Sequence, residues 1–324
     1  MISVLLGSLS AAGFGAADFL GGLAAKRLMA MLVTAFAALA GAVALLVASP
    51  IDGGVWHPET TVVGLVTGVT SCLGIWLLYS AYARGPMTTL APVVAIVSTV
   101  VPMSAGLLSG ETFSPLGWVA LLTGLVAVGL VSRPRADERT RAHRVDIAKA
   151  AVAGAFLGVL YISLDSAPLD AGLTPLTANR ISCTVVAFAV AGVLAWRARA
   201  GMSDGRCGGA SPDVASIGAS SRGAVIADGA VLTAVPVAVG IRRRMVVGVA
   251  IAIAGASGLL DATANTLFLA GLGFGDLSVL SVVSGFYPAV TIVLALLFLG
   301  ERPSRLQTAG IVLALVAMLG MSLA

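Results

Sequence analysis

The chain has 324 residues, of which 58% are hydrophobic and only 10% are charged, whereas soluble domains carry about 25% charged residues. This composition excludes an ordinary water-soluble protein, because there are too few polar side chains to cover its surface. The net charge of +4 does not indicate a nucleic-acid partner, because the basic residues stand beside apolar segments and fit a role in membrane orientation.

Ten apolar segments follow one another along the chain. Each is roughly 20 residues long, which is the length that an α-helix needs to cross ~30 Å of hydrocarbon. The sequence therefore predicts an all-α membrane protein with ten transmembrane helices and the lipid bilayer as its surroundings. The predicted spans are residues 2–25, 29–49, 60–82, 88–109, 114–132, 147–164, 174–196, 245–271, 276–299 and 304–323.

The basic residues lie on one side of this topology. The odd-numbered connections between spans hold 18 of the 19 Lys and Arg residues, and the even-numbered connections hold none. Because positive residues resist translocation, we predict cytoplasmic odd-numbered connections and outward-facing termini in an inner or plasma membrane. The Gly/Ala/Ser-rich connection at about 197–244 predicts disorder, and within it we expect residues 223–241 to be disordered or surface-lying, not an eleventh crossing.

A short segment of the chain occurs twice. AGLLSGETFSPL at 105–116 returns as ALLFLGERPSRL at 295–306, with six of twelve positions identical. Five predicted spans make up each unit, and an odd-helix unit that is duplicated must insert the second time upside down. Inverted repeats of this kind are typical of secondary transporters, whose solute site lies where the repeats meet.

Ionisable residues within predicted spans are the strongest functional signal. Asp261 lies deep in the eighth span, and Ser257 and Asn265 share its helix face at four-residue spacing. Charges are costly in hydrocarbon, so they usually face a water-filled cavity or a partner. Asp261 is predicted to hold a cation, a substrate amine or a proton in a cavity wall; the alternative is hydrogen bonding that fixes helix packing.

Asp18 in the first span has a similar pair of interpretations. It is a candidate for binding substrate or a proton, and the alternative is an interfacial position near Lys26 and Arg27.

Arg180 in the seventh span is the remaining basic residue. It is a candidate ligand for an anionic group; the alternatives are snorkelling to the outer surface or pairing with Asp165 or Asp170.

Aromatic residues near the ends of the third and ninth spans add to the candidate site. Trp76, Tyr79 and Tyr287 can form walls of a solute pocket, although aromatic residues near helix ends are commonly interface anchors.

Prolines and glycines within the spans predict local structure. Pro92, Pro102 and Pro288 predict interruptions of the fourth and ninth spans, with exposed carbonyls where a cavity is lined. The pairs Gly64/Gly68, Gly106/Gly110 and Gly154/Gly158 predict close helix packing without a functional role.

The sequence lacks the patterns expected of an enzyme. A G-x-S-x-G match at 201–205 lies in the low-complexity connection without the strand and helix that it requires. Two scattered histidines and three scattered cysteines do not suggest a zinc site. We therefore predict no enzyme activity, no cofactor and no metal site.

The end of the chain carries a series of short motifs. They are Gly258–Asn265, Gly275–Leu280, Tyr287–Thr291, Leu299–Arg302, Gln307 and Gly310. This series resembles an EamA domain of the drug/metabolite transporter superfamily. The first half is similar more loosely, through Gly85-Pro86, Leu90, Gly110-Glu111 and the region of Gly129.

The resemblance implies two EamA units of five helices with a central cavity. The first would cover residues 1–132, a basic cytoplasmic loop 133–146, and the second residues 147–324. The resemblance also leads us to expect Glu111 and Glu301 of the Gly-Glu motifs to cap or pin helix ends.

Together these observations predict a secondary transporter, an exporter or permease, that moves a small organic metabolite, amino acid or drug by alternating access. Two alternatives are open: a non-transporting membrane subunit that needs a partner, and, more remotely, a membrane enzyme acting on a lipid-linked substrate. The expected partners are the solute and the lipid bilayer, and assembly into a homo-oligomer is also open.

Overall fold

The computed structural model describes residues 1–85, 87–112, 114–131, 144–204, 239–299 and 304–323. Within these ranges the regular structure is helical. The α-helices are α1 (Ile2–Ala25), α2 (Ala30–Asp52), α3 (Pro58–Arg84), α4 (Met87–Leu108), α5 (Pro115–Val131), α6 (Arg144–Asp165), α7 (Thr174–Asp204), α8 (Val239–Leu272), α9 (Leu277–Ser284), α10 (Tyr287–Leu299) and α11 (Arg305–Leu323).

The first eight helices correspond to the first eight predicted spans, and α11 corresponds to the tenth. Local sequence explains several helix ends: Pro58 begins α3 with Glu59 in its first turn, and Gly53 ends α2 in a left-handed conformation. Helices α7 and α8 extend beyond the predicted spans, to Asp204 and from Val239. Segment 223–241 is predicted to be surface-lying or disordered. Its residues 223–238 lie outside the described part of the chain, and its last three residues belong to α8.

The ninth predicted span is interrupted and the fourth is not. Helices α9 and α10 are separated by Gly285 and Phe286, just before Pro288. Helix α4 continues through Pro92 and Pro102, so the prediction of an interruption is wrong there. A proline removes one backbone hydrogen bond. Only before Pro288 does a glycine stand where a neighbouring helix approaches closely, because a Cβ atom on Gly285 would collide with the side chain of Thr99 in α4.

The two halves of the chain are packed into one another. Helix α1 contacts α8, α9 and α10, while α6 contacts α3 and α4. Helix α2 contacts α7 and α8, and α3 contacts α7. The pairs α5–α11, α4–α9 and α4–α10 add further contacts between the halves.

Two of the predicted glycine pairs provide close helix contacts. A Cβ atom on Gly64 would lie 2.9 Å from Cβ of Ala178 in α7, and one on Gly68 would press equally closely on that helix. A Cβ atom on Gly154 would lie 2.9 Å from Cβ of Val97 in α4. Gly110 has a different role, because its φ of 96° belongs to the left-handed region and turns the chain after α4.

The outer surface is apolar. Seven helices of the described residues are long and apolar enough, by length and composition, to cross a membrane, and shorter apolar helices occur at Val93–Leu108 and Pro115–Ala127. Large apolar side chains such as Val47, Val66 and Leu297 are exposed on it. A surface of this kind is suited to lipid, because soluble proteins rarely expose large contiguous apolar patches.

Candidate functional site

A cavity lies in the middle of the helix bundle, where the two halves meet. Its volume is about 40 Å³, which is room for a few water molecules, and eight helices contribute to its wall. The lining residues are Phe14, Asp18, Ala37, Ala38, Ile75, Leu78, Tyr79, Ser98, Leu157, Leu160, Tyr161, Arg180, Asp261, Asn265 and Tyr287. Its charged residues are therefore two carboxylates and one guanidinium.

Arg180 and Asp261 form an ion pair across the cavity wall. The side chain of Arg180 is 4% exposed and that of Asp261 is 24% exposed. Helix α2 lies between their helices, and Gly41 on α2 leaves room there: its Cβ would lie 3.7 Å from Cδ of Arg180. The expected pairing of Arg180 with Asp165 or Asp170 is wrong, because the packing of α7 against α2 and α3 directs this residue inward.

Asp18 has a neutral partner. The hydroxyl of Tyr82 donates a hydrogen bond of 3.2 Å to Oδ2 of Asp18. Gly21 and Gly22, one turn further along α1, lie directly against the side chains of Tyr79 and Tyr82. The glycines thereby let α1 and α3 approach and bring the Tyr82 hydroxyl to the carboxylate.

Three helices are joined beside the cavity by a chain of hydroxyl groups. Oγ of Ser257 donates to the carbonyl of Ala17 at 2.7 Å, and the Tyr79 hydroxyl lies 3.0 Å from the same Oγ. Because the serine hydrogen is used by Ala17, the tyrosine is the donor in the second bond. Ser257 thus lies behind Tyr79 and links α8 to α1 and α3.

Two polar atoms of cavity-lining residues have no hydrogen-bond partner among the described residues. Nδ2 of Asn265 donates to the backbone carbonyl of Asp261 at 2.8 Å, but its Oδ1 is buried and unpaired. Nε of Arg180 is also buried and unpaired. One acceptor and one donor are therefore left unused, and buried groups of this kind are costly unless something pairs with them.

The structure brings together most of the residues singled out from the sequence. Two of them do not line the cavity: Trp76 packs beside the core cluster around Tyr82, and Ser257 lies behind Tyr79. Sequence reasoning missed Phe14, Ser98 and Tyr161, although Tyr161 stacks on the ring of Phe268 with centroids 4.4 Å apart. Their residue types are common in membrane helices, so only the helix packing distinguishes them.

The even-numbered connections are hydrogen-bonded to one another at one end of the bundle. Glu111 accepts bonds from the backbone N–H groups of Leu277 (2.9 Å) and Ser278 (3.2 Å), which begin α9. Asp52 accepts a bond of 2.9 Å from the N–H of Leu173. The expectation that Glu111 caps a helix end is confirmed, and the capped helix belongs to the other half of the chain. Glu301 lies outside the described residues.

No cluster of three or more His, Cys, Asp or Glu side chains suited to a metal ion occurs in the part of the chain that the structure describes. Cys72 and Cys183 are buried free cysteines.

Comparisons with known proteins agree with this architecture. The sequence model of the EamA-like transporter family matches residues 210–323. The carboxy-terminal part of the chain is therefore similar to an EamA-like transporter domain. This match and the apolar helices support a multi-pass membrane transporter of the drug/metabolite transporter type.

The fold of this chain also occurs among solved structures. Twenty-six solved chains match it. One crystal structure matches with a TM-score of 0.57 and 17% sequence identity, covering 98% of each chain. At this identity the likeness concerns the fold alone. A comparison with curated proteins finds no match.

Proposed function

We propose that the protein is an alternating-access carrier for a small organic solute with an ammonium group, and that its two halves are inverted five-helix repeats. The solute binds at the central cavity, which enlarges when the two halves rock apart, with its ammonium group at Asp18. The observation that carries this proposal is the charge of the cavity: two carboxylates face one guanidinium, and Asp261 already pairs with that guanidinium.

Reciprocal packing supports the inverted repeat. Exchanging the first five spans for the last five converts the contact between α1 and α8 into that between α6 and α3. The same exchange converts α2–α8 into α7–α3, and α4–α6 into the contacts of α1 with α9 and α10. The pairs α2–α7 and α5–α11 are converted into themselves. A two-fold relation of this kind supports a solute site at the repeat interface.

The cavity wall supports the choice of an ammonium solute. Among the described residues, the hydrogen-bond partner of Asp18 is a tyrosine hydroxyl, and a partly buried carboxylate gains when a cation approaches. Phe14, Tyr79 and Tyr161 add aromatic surface, and aromatic faces attract cations. The unpaired Oδ1 of Asn265 can accept a bond from the ammonium group, and Nε of Arg180 can donate to an oxygen atom of the solute.

We infer from the hydrogen bonds of Glu111 and Asp52 that the cavity is closed to solvent at their end of the bundle. Both residues connect the first half of the chain to the second at the end that is predicted to face outward. We therefore propose that these bonds break when the halves rock and the cavity opens to that side.

A binding screen tests the ammonium solute. Purified protein is heated with size-matched sets of primary amines, zwitterionic amino acids and uncharged alcohols. A ligand of the folded state raises the melting temperature. We expect stabilisation only by solutes with an ammonium group, and Asp18→Asn should weaken their binding about 100-fold, equivalent to about 2.7 kcal/mol.

Asp165→Asn serves as the matched control, because Asp165 is an exposed carboxylate at the end of α6 outside the cavity. Equal stabilisation by the alcohols, or unchanged binding by Asp18→Asn, would remove the ammonium assignment. The stabilising solute is then loaded, radiolabelled, into proteoliposomes. Binding without flux would favour the non-transporting subunit.

A further inference from the structure

Three hydroxyl groups around the interruption between α9 and α10 are unusual in this protein. Thr99 on α4 and Ser281 and Ser284 on α9 are 1%, 2% and 2% exposed. Their side-chain oxygens have no hydrogen-bond partner among the described residues. Buried polar atoms without partners are rare in folded proteins and require an explanation.

Other serine and threonine hydroxyls in the helices donate hydrogen bonds within their own helix. Thr34, Ser104 and Thr266 each donate to the carbonyl four residues earlier, at distances between 2.7 and 3.0 Å. The same solution is the usual one for serine and threonine within a helix. The three hydroxyls around the interruption therefore differ from these residues in hydrogen bonding, although the residue types are the same.

The three residues lie close to one point of the backbone. A Cβ atom on Gly285 would collide with Oγ1 of Thr99, so this oxygen lies directly against the interruption. Ser281 precedes Gly285 by four residues, which places both on one face of α9. Ser284 lies three residues after Ser281 on the same stripe.

The interruption adds backbone oxygen atoms to this cluster. In a continuous helix the carbonyl of Ser284 would accept a bond from residue 288, but Pro288 has no N–H group. The N–H of Phe286 turns back to the carbonyl of Val283 at 3.3 Å, as in a helix end. The carboxyl end of a helix carries partial negative charge, which favours a cation beside it.

We propose that this cluster is a sodium-binding site, formed by Oγ1 of Thr99, Oγ of Ser281, Oγ of Ser284 and the carbonyl of Ser284. All of these ligands are neutral oxygen atoms. Calcium sites in proteins usually include carboxylates and magnesium is bound through one or two carboxylates, so a monovalent ion suits this set. Interrupted transmembrane helices bind sodium through such carbonyls and helix ends. Because Gly285 has no side chain, Oγ1 of Thr99 can lie directly against the end of α9.

Binding of ²²Na⁺ to the purified full-length protein tests the site. The assay is run without any solute, with choline chloride holding the ionic strength constant, so its outcome does not depend on the proposed role of Asp18. We expect saturable binding by the unaltered protein. Thr99→Val keeps the shape of the side chain. Each of the three single variants, Thr99→Val, Ser281→Ala and Ser284→Ala, should lower the affinity for sodium at least tenfold.

Ser104→Ala is the matched control, because Ser104 also lies on α4 but is exposed and bonded to its own helix. It should bind sodium as the unaltered protein does. A melting temperature measured in choline chloride identifies any variant that fails to fold, and the remaining two variants then decide the result. Absence of saturable ²²Na⁺ binding by the unaltered protein, or equal affinity in the folded hydroxyl variants, would mean that the cluster holds water only.

Discussion

Asp18 and Asp261 line the same cavity but have different partners. Asp261 faces the guanidinium of Arg180, whereas Asp18 accepts one hydrogen bond from the neutral hydroxyl of Tyr82. A carboxylate with a fixed countercharge has little to gain from a second cation. A carboxylate without one is free to exchange its partner, so we propose a structural role for Asp261 and a binding role for Asp18.

The largest expected effect comes from removing the countercharge. Arg180→Gln leaves two carboxylates facing each other without a cation. Breaking a buried ion pair costs about 3 kcal/mol, at the low end of the usual range because Asp261 is partly exposed to the cavity. We expect a clear loss of stability in reversible denaturation in mixed micelles, together with a loss of solute binding.

The double variant Arg180→Gln/Asp261→Asn controls for this interpretation. It removes both charges, so most of the lost stability should return. If Arg180→Gln alone were as stable as the unaltered protein, the pair would not have the structural role that we assign to it.

A medium effect on solute binding is expected from lowering the pH. Protons and the ammonium group compete for Asp18, so one competing proton can raise the apparent dissociation constant of the solute by up to about tenfold per pH unit. Lowering the pH should therefore weaken binding. The other titratable or charged groups around Asp18 are Tyr79, Tyr82, Tyr161, Arg180, Asp261 and Tyr287.

The two carboxylate variants separate the contributions to this pH dependence. Asp261→Asn should keep the acid sensitivity of solute binding, and any binding that remains in Asp18→Asn should have lost it. Titrations of the dissociation constant between neutral and mildly acidic pH measure both. The reverse pattern would assign the exchangeable site to Asp261.

The smallest expected effect comes from the tyrosine beside Asp18. Tyr82→Phe removes one hydrogen bond, worth about 1 kcal/mol, and should change solute affinity about fivefold. Tyr79→Phe is the paired variant, because it removes the 3.0 Å bond to Ser257 without touching Asp18. We expect it to lower the melting temperature while the acid dependence stays unchanged. If Tyr79→Phe lost the acid dependence of solute binding, the site where the proton and the ammonium group compete would lie nearer to α8.

The sequence predicted much of the helical framework and part of the candidate site. The spans agree with the helices to within a few residues over most of the chain, because a long apolar run has one way to satisfy its backbone in lipid. Asp18, Asp261 and Arg180 were recognisable because charges in such runs are rare. Phe14, Ser98 and Tyr161 were not, because nothing in their types separates cavity wall from core.

The interruption of the ninth span shows a second limit. Prolines occur in both the fourth and ninth spans, yet only α9 and α10 are separated. The outcome depends on Gly285 and on the neighbouring α4, whose Thr99 lies against that glycine. Local sequence identified the position where a helix can stop but not whether it does.

The sequence by itself determined that this is a helical membrane protein with rare buried charges, because hydrophobic length and charge cost are local properties of the chain. Only the tertiary structure decided which charges meet. Asp261 pairs with Arg180 on α7, and Asp18 pairs with Tyr82, 64 residues away on α3. Such partners depend on which helix faces pack together, and small residues such as Gly21 and Gly41 set how closely those faces approach.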